Sequence, residues 1–394
     1  MTAVDSPSSW EALLRDVPRA PFIPDTIWVD DDSGNRFVAL SKHTDPDGWQ
    51  AAVAANAVVI TQVNLGEVQP GQKGRFPSSS CSTPSIVAEM LDALAVQPGQ
   101  SVLEIGTGTG WNAALLTRRV GAHGRVVTIE VDPGLATQAQ GALTSAGYHP
   151  LVITGDGLRG HPPGAPYDRV ICTASIREAV PSAWLDQLRV GGRLVTPWGT
   201  DWSNGVMLTL SVDEGGAATG RFSGGLAFMR IRSQRPALYG WEPEDSDIKH
   251  AEISTTDCRG SDLDRMLNPN KGNFAIGARL ASCCLVVQWD KHGKLHHNLE
   301  LDHAATRSWA QLDANLNDPA PFTVRQLGPR KLWDEVEAAY DWWYEQGEPG
   351  LDRFGFQIRD GRQWIWLDEP DNVVRILNRP ADRPGTVAVN TVRS

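Results

Sequence analysis

Val102-Leu103-Glu104-Ile105-Gly106-Thr107-Gly108-Thr109-Gly110 is the stretch whose reading decides the fold. Ser101 to Ile105 reads as a short apolar strand, three alternating glycines follow, and Asn112 to Val120 reads as a helix. A strand feeding a glycine turn that opens a helix is the start of a βαβ unit. Glycines at such a turn let the backbone bend sharply and let a ligand approach it. Outward from this stretch the alternation continues. Thr83 to Leu94 reads as a helix entered at Pro84, Gly124 to Glu130 as a strand, and Pro133 to Ala146 as a helix stopped by Gly147. Strands follow at 151–154, 167–173 and 193–197, with a helix around 181–189. Strands alternating with helices predict an α/β fold, a Rossmann-like parallel sheet with helices on both faces.

The glycine spacing bears on the ligand. Acid-x-Gly-x-Gly-x-Gly departs from the Gly-x-Gly-x-x-Gly of dinucleotide binders. Glu104 precedes the turn, where it suits an ammonium better than a pyrophosphate. Glu130 ends the next strand, about 20 residues on, where an acid can take both hydroxyls of a ribose. Gly155-Asp156-Gly157 closes the following strand and can set a carboxylate near an adenine amine. Together these favour S-adenosylmethionine. The bland alternative is a glycine turn in an α/β domain that binds nothing. The expected cofactor-binding residues are Glu104, Gly106, Thr107, Gly108, Gly110, Glu130, Val131, Asp156, Gly157 and Thr173.

The 394 residues predict two to three domains. Residues 1–77 read as a helical and loop region leading into the core, with helices at 10–17 and 45–55 and a strand at 57–63; 78–235 read as the cofactor-binding core, and 236–394 as a C-terminal α+β domain. In that last part, Lys331 to Tyr344 reads as a helix carrying Trp333, Tyr340, Trp342, Trp343 and Tyr344. Cys283 to Asp290 reads as a strand with a turn at His292-Gly293, and 354–359, Asp360-Gly361 and 362–367 as a hairpin. Eight of the fifteen tryptophans follow residue 235. They are either core or a peptide-recognition surface.

The net charge is −11, and neither half is basic, which argues against nucleic-acid binding. No apolar run of 18 residues occurs, so no membrane span is expected. The first residues have no basic n-region or apolar h-region, so no secretory signal is expected. Five unevenly spaced cysteines predict a reduced, cytoplasmic protein. Cys81 reads as a packed residue, and Cys283 and Cys284 as core. His292, His296, His297 and His303 complete no recognised metal spacing, so no metal is expected.

With those motifs in order, the sequence resembles the protein-L-isoaspartate O-methyltransferase family. The match runs through Ser80-Cys81-Ser82-Thr83-Pro84, Ile86 to Leu91, the 102–112 loop, Gly155-Asp156-Gly157, Tyr167 to Ile171 and Leu188 to Gly199. It covers roughly residues 8–235. Residue 80 is Ser where the family usually has Thr, and residue 85 is Ser where it often has His. The resemblance implies methyl transfer from S-adenosylmethionine to a carboxylate. It assigns Ser82 to orienting one carboxylate oxygen and Ser80 to a contact with cofactor or substrate. Capping of the helix at Pro84 is the structural alternative for Ser82.

The family's repair enzymes usually end near the equivalent of residue 235. The longer layout here looks like the actinobacterial relatives that tailor ribosomally made peptides (lanthipeptides, lasso peptides and graspetides). That likeness implies methylation of an ordinary Asp in a modified, macrocyclic precursor peptide, leading to aspartimide and isoaspartate. General isoaspartate repair is the first rival, and a non-catalytic binding module the second. The sequence leaves the oligomeric state open.

Overall fold

Neighbouring residues on the central strands sort into opposite faces. Val102, Val126, Ile171 and Val195 belong to one buried cluster, while Leu103, Val127, Val170 and Leu194 belong to the other. This is the period-two consequence of the β pleat, and it requires that both faces be covered. The computed structural model describes residues 10–34, 36–69, 71–235, 243–289, 295–303, 306–314 and 319–377.

Five parallel strands lie side by side in the order Leu151–Thr154, Arg125–Glu130, Ser101–Ile105, Tyr167–Cys172 and Leu188–Gly199. The chain winds outward from Ser101–Ile105 in one direction and then returns to its other side at Tyr167–Cys172. The order therefore reverses at Ser101–Ile105, and the carboxyl ends of the strands open there into a crevice. The predicted Rossmann-like core is present. The helix expected around 181–189 is only Ser182–Asp186, because the following strand already begins at Leu188 and runs through Gly191-Gly192.

Asn204–Val212 and Ala218–Gly225 extend this sheet in antiparallel fashion. Phe354–Arg359 then pairs with Ala218–Gly225, and Arg362–Leu367 and Val373–Leu377 complete it. The sheet runs through the boundary expected after Arg235. Without the late strands, Ala218–Gly225 would be a bare edge. The predicted hairpin turn is there, with φ of +51° at Asp360 and +71° at Gly361. Between these strands the chain builds a second, antiparallel sheet in the order Glu252–Thr256, Phe322–Leu327, Ser308–Asp313, Leu295–His303 and Cys284–Trp289. Helices Gly260–Leu267, Asn273–Arg279 and Leu332–Glu345 accompany it. The turn expected at His292-Gly293 lies outside the described residues, as do the side chains of the histidines at 292, 296, 297 and 303.

The segment before residue 78 differs from expectation. It forms a four-stranded antiparallel sheet of Phe37–Ser41, Thr26–Asp30, Val59–Val63 and Pro77–Cys81, flanked by helices Trp10–Asp16 and Pro46–Ala54. Pro18, Pro21 and Pro24 break the pattern just ahead of Thr26-Ile27-Trp28-Val29, whose β-branched and aromatic residues suit a strand.

Four C-terminal tryptophans are interior. Trp309, Trp333, Trp343 and Trp366 are buried. Trp342 is half-buried with the Arg279 guanidinium 4.6 Å from its ring centre. Trp198, Phe222, Phe274, Phe354 and Phe356 pack ring against ring beside them. A sheet widened by three late strands needs a large core beneath it, and these rings supply it.

Candidate active site at the carboxyl ends of the central strands

Each predicted loop glycine adopts a conformation that disfavours a side chain. Gly106, Gly108 and Gly110 have φ of +95°, +55° and +88°. A Cβ on Gly106 would lie 2.7 Å from Thr173 Oγ1. That hydroxyl donates to the Gly106 carbonyl at 2.6 Å, so Thr173 clamps the turn from the neighbouring strand. Above Gly108 the nearest atoms are the Ser80 carbonyl at 3.6 Å and Ser79 Oγ at 4.0 Å, which leaves an open face.

This loop forms one wall of a cavity of about 960 Å³. Gly106, Thr107, Gly108, Glu130, Val131, Asp156, Gly157 and Thr173 all line it, and so does the serine lip of Ser80 and Ser82. Glu130 is buried, and its carboxylate accepts from Gly108 N at 2.9 Å and Asp132 N at 3.1 Å. Val131 beside it is 46% exposed, an apolar face next to an acid. Asp156 caps the short turn 157–159 by accepting from Leu158 N at 3.0 Å.

Glu104 is the exception. The residue expected to meet an ammonium is fully buried and does not line the cavity. Its Oε1 accepts from Asn112 Nδ2 at 2.7 Å and its Oε2 from Thr128 Oγ1 at 2.6 Å. Thr128 Oγ1 is 2.7 Å from Thr107 Oγ1. Burial pushes the Glu104 carboxyl up to about 7, and the nearby Glu130 charge adds to the rise. Glu104 therefore acts on the cavity through Asn112 and Thr107, which do line it. Gly110 also sits behind the wall, as the cap of helix Trp111–Val120, where a Cβ would lie 3.1 Å from Leu143.

Ser82 does not cap the following helix. The cap residue is Thr83, which makes no side-chain hydrogen bond there. Asn56 serves that end instead, accepting from Ser85 N at 3.1 Å. The Ser82 carbonyl is held by Arg19 Nη1 at 3.3 Å. Arg19 is itself buried and gathers the carbonyls of Val53, Ala55 and Ala57, tying helix Pro46–Ala54 to the serine lip. Ser80 lies on strand Pro77–Cys81, paired with Ile60. Cys81 is buried, and desolvation pushes its thiol up to about 11, so it stays protonated and unreactive near neutrality.

A strap within residues 225–235 also lines the cavity. Three arginines on this strap, Arg230, Arg232 and Arg235, line the cavity, and sequence reasoning passed over them. So did it pass over Arg19 and Asn112. The spacing Arg230-x-Arg232-x-x-Arg235 was visible, whereas nothing local marks Arg19.

The family model of protein-L-isoaspartate(D-aspartate) O-methyltransferase matches residues 69–232. A protein-L-isoaspartate O-methyltransferase of Ignicoccus hospitalis is 47% identical over 117 residues, which is 29% of this chain and 55% of that one. Another, of Pyrococcus horikoshii, is 39% identical over 161 residues, 41% of this chain and 70% of that one. The chain thus spans 55% and 70% of the length of these two curated relatives. A solved structure titled protein-L-isoaspartate O-methyltransferase superposes with a TM-score of 0.50 at 18% identity, covering 92% of this chain and 96% of its own. The likeness of fold therefore extends well past residue 235.

Proposed function

Since the chain belongs to the protein-L-isoaspartate O-methyltransferase family, we propose that it transfers the methyl group of S-adenosylmethionine to the carboxylate of an isoaspartyl residue in a peptide or protein. The observation that carries this reading is one cavity lined together by the Gly106–Gly108 turn, Glu130, Asp156, Ser80 and Ser82. The residues fit the cofactor. The turn tolerates no Cβ at Gly106, and Glu130 is an acid at the strand end where a ribose diol is held. Val131 offers an apolar surface to an adenine, and Asp156 an acceptor for its amine.

The bound cofactor supplies an electrophilic methyl group. The acceptor carboxylate is already ionised near pH 7, so no general base is needed. The protein's part is to hold one oxygen in line and to keep water out. Ser82 is assigned the first task, its hydroxyl donating to the acceptor and its backbone fixed by Arg19. Ser80 is assigned a neighbouring contact with cofactor or substrate. The aliphatic and aromatic part of the strap, including Phe228 and Ile231, shields the cavity.

A narrower reading makes the acceptor an ordinary Asp in a macrocyclic ribosomal peptide. There the next backbone nitrogen attacks the methyl ester, methanol leaves, and an aspartimide results. It is supported by the sequence resemblance to the peptide-tailoring relatives. The length of the chain no longer favours it over repair, because a solved isoaspartate methyltransferase matches nearly the whole chain. In this reading, residues 236–394 help to select the peptide. Intact-mass spectrometry with cofactor separates the alternatives. A gain of one methyl on a short isoaspartyl peptide supports the first reading. Net loss of one water from a cyclised precursor supports the second. Binding of S-adenosylhomocysteine without turnover of either would leave a non-catalytic module.

A further inference from the structure

The strap is held by backbone hydrogen bonds. Ser175 N donates to Met229 O at 2.8 Å, and Ile231 N donates to Ser175 O at 3.0 Å, so the strap continues the pattern of a parallel strand beside residue 175. Asn204 Nδ2 holds Phe228 O at 2.8 Å. At its far end Arg232 Nη2 reaches Asp132 Oδ2 at 3.2 Å, the same carboxylate that starts helix Pro133–Ser145 and meets Gln62.

Arg232 is thereby paired with a carboxylate, whereas among the described residues Arg230 and Arg235 make no ion pair. Arg230 donates through Nη2 to the Thr200 carbonyl, but its buried Nη1 has no hydrogen-bond partner among the described residues. The two acids near it are engaged elsewhere: Asp201 with Arg177, and Glu178 with Arg375 at 3.0 Å. Arg235 donates through Nε to the Arg230 carbonyl at 3.3 Å, and no carboxylate lies within ion-pair distance of it among the described residues. Both guanidiniums pay a desolvation penalty. A guanidinium stays charged at any ordinary pH, so a buried one lacking an anion is costly until a ligand brings one.

The cavity is lined by both signs of charge, Glu130 and Asp156 from the strand ends and Arg230, Arg232 and Arg235 from the strap. The acids suit a cationic cofactor. We propose that Arg230 and Arg235 form a carboxylate-binding subsite that selects peptide acceptors bearing a second acidic side chain beside the one that is methylated. This rests on the carboxyl methyl transfer proposed above. The anion held is a second one for a chemical reason. A fork donating to both oxygens of the acceptor would draw off the electron density that must attack the methyl group, and the ester formed would carry no charge to hold. A neighbouring carboxylate is unchanged by the reaction. The chain's net charge of −11 favours basic partners in general; the local cluster outweighs it because exposed charges beyond about 10 Å are screened by salt.

The test uses pairs of synthetic isoaspartyl peptides flanked either by glutamates or by glutamines. The full-length protein should show a roughly tenfold or greater preference in kcat/KM for the glutamate member, the size expected of a charge-assisted contact, and added salt should erode it. Arg235→Glu should abolish the preference and shift it towards lysine-flanked peptides, while Arg235→Gln should abolish it without the shift. Arg235 is half-buried and Arg230 deeper, so the Arg235 variants are the primary ones and Arg230→Gln the second. Equal use of both peptides by the unmodified protein, or a preference unmoved in every folded variant, overturns the subsite. If no peptide is methylated, the proposed activity falls. Calorimetric binding of the same pairs with S-adenosylhomocysteine present then still reads the subsite.

Discussion

The side chain of Gln363 pairs with the backbone of Val180 as a strand neighbour would. Its Oε1 accepts from Val180 N at 2.8 Å and its Nε2 donates to Val180 O at 2.7 Å, across 183 residues of sequence. Both residues are buried. Gln363→Ala leaves an N–H and a C=O without partners in a dry place, which costs roughly 2–4 kcal/mol. The urea midpoint should fall accordingly, with the slope unchanged. A midpoint equal to that of the parent would mean that water replaces the amide.

The same joint predicts how the chain unfolds. Strands from both sides of residue 235 share one sheet, and Arg375 reaches Glu178 at 3.0 Å with both side chains largely buried. Calorimetry of the full chain should show one cooperative transition. A chain ending at Arg235 strips the partner from Ala218–Gly225, exposing a sheet edge, and should aggregate. Two resolved transitions, with a soluble folded fragment, would show that 236–394 is an independent unit.

Glu104 predicts a pH dependence of stability. Its carboxyl is raised from about 4.5 to about 7 by burial, so the folded state holds the proton more tightly than the unfolded one. The stabilisation is complete below about 4.5 and is lost as pH rises towards 7 and through it. A shift of this size corresponds to something on the order of 3 kcal/mol. Glu104→Gln keeps a side chain that can meet Asn112 and Thr128 and removes the titration. The parent's melting temperature should fall between pH 5 and pH 8 relative to that of the variant. Parallel melting curves across that range would mean that Glu104 is ionised throughout.

Much of this site was legible because its cues are local. Gly106, Gly108 and Gly110 mark a turn by what they lack, and Glu130 and Asp156 are placed by strand length alone. The partners of Glu104 are not legible, because strand alternation does not reveal which buried neighbours a carboxyl will find; Thr128 and Asn112 take both its oxygens. The first sheet is legible only at 57–63, since Thr26–Asp30 and Phe37–Ser41 are short and follow three prolines. The late strands' return to the main sheet has no local signal, since pairing such as Gly220 with Phe356 depends on the whole fold. The tryptophans were read correctly as unusual, but their burial follows from that return.

Ser82 carries the most specific catalytic prediction. Its hydroxyl is not needed to start the next helix, because Thr83 is the cap residue and Asn56 serves Ser85 N. Ser82→Ala should therefore leave the melting temperature and S-adenosylhomocysteine affinity nearly unchanged. If the hydroxyl orients the acceptor oxygen, kcat for methyl transfer should drop roughly ten- to a hundredfold, as for loss of one donor to a reacting charge. Ser82→Thr restores a hydroxyl at the same lip and should recover part of that loss. Single-turnover mass spectrometry on a pre-bound isoaspartyl peptide isolates the chemical step from binding. An unchanged rate for Ser82→Ala in that experiment would move the orienting role to another lip residue, with Ser80 the first to examine.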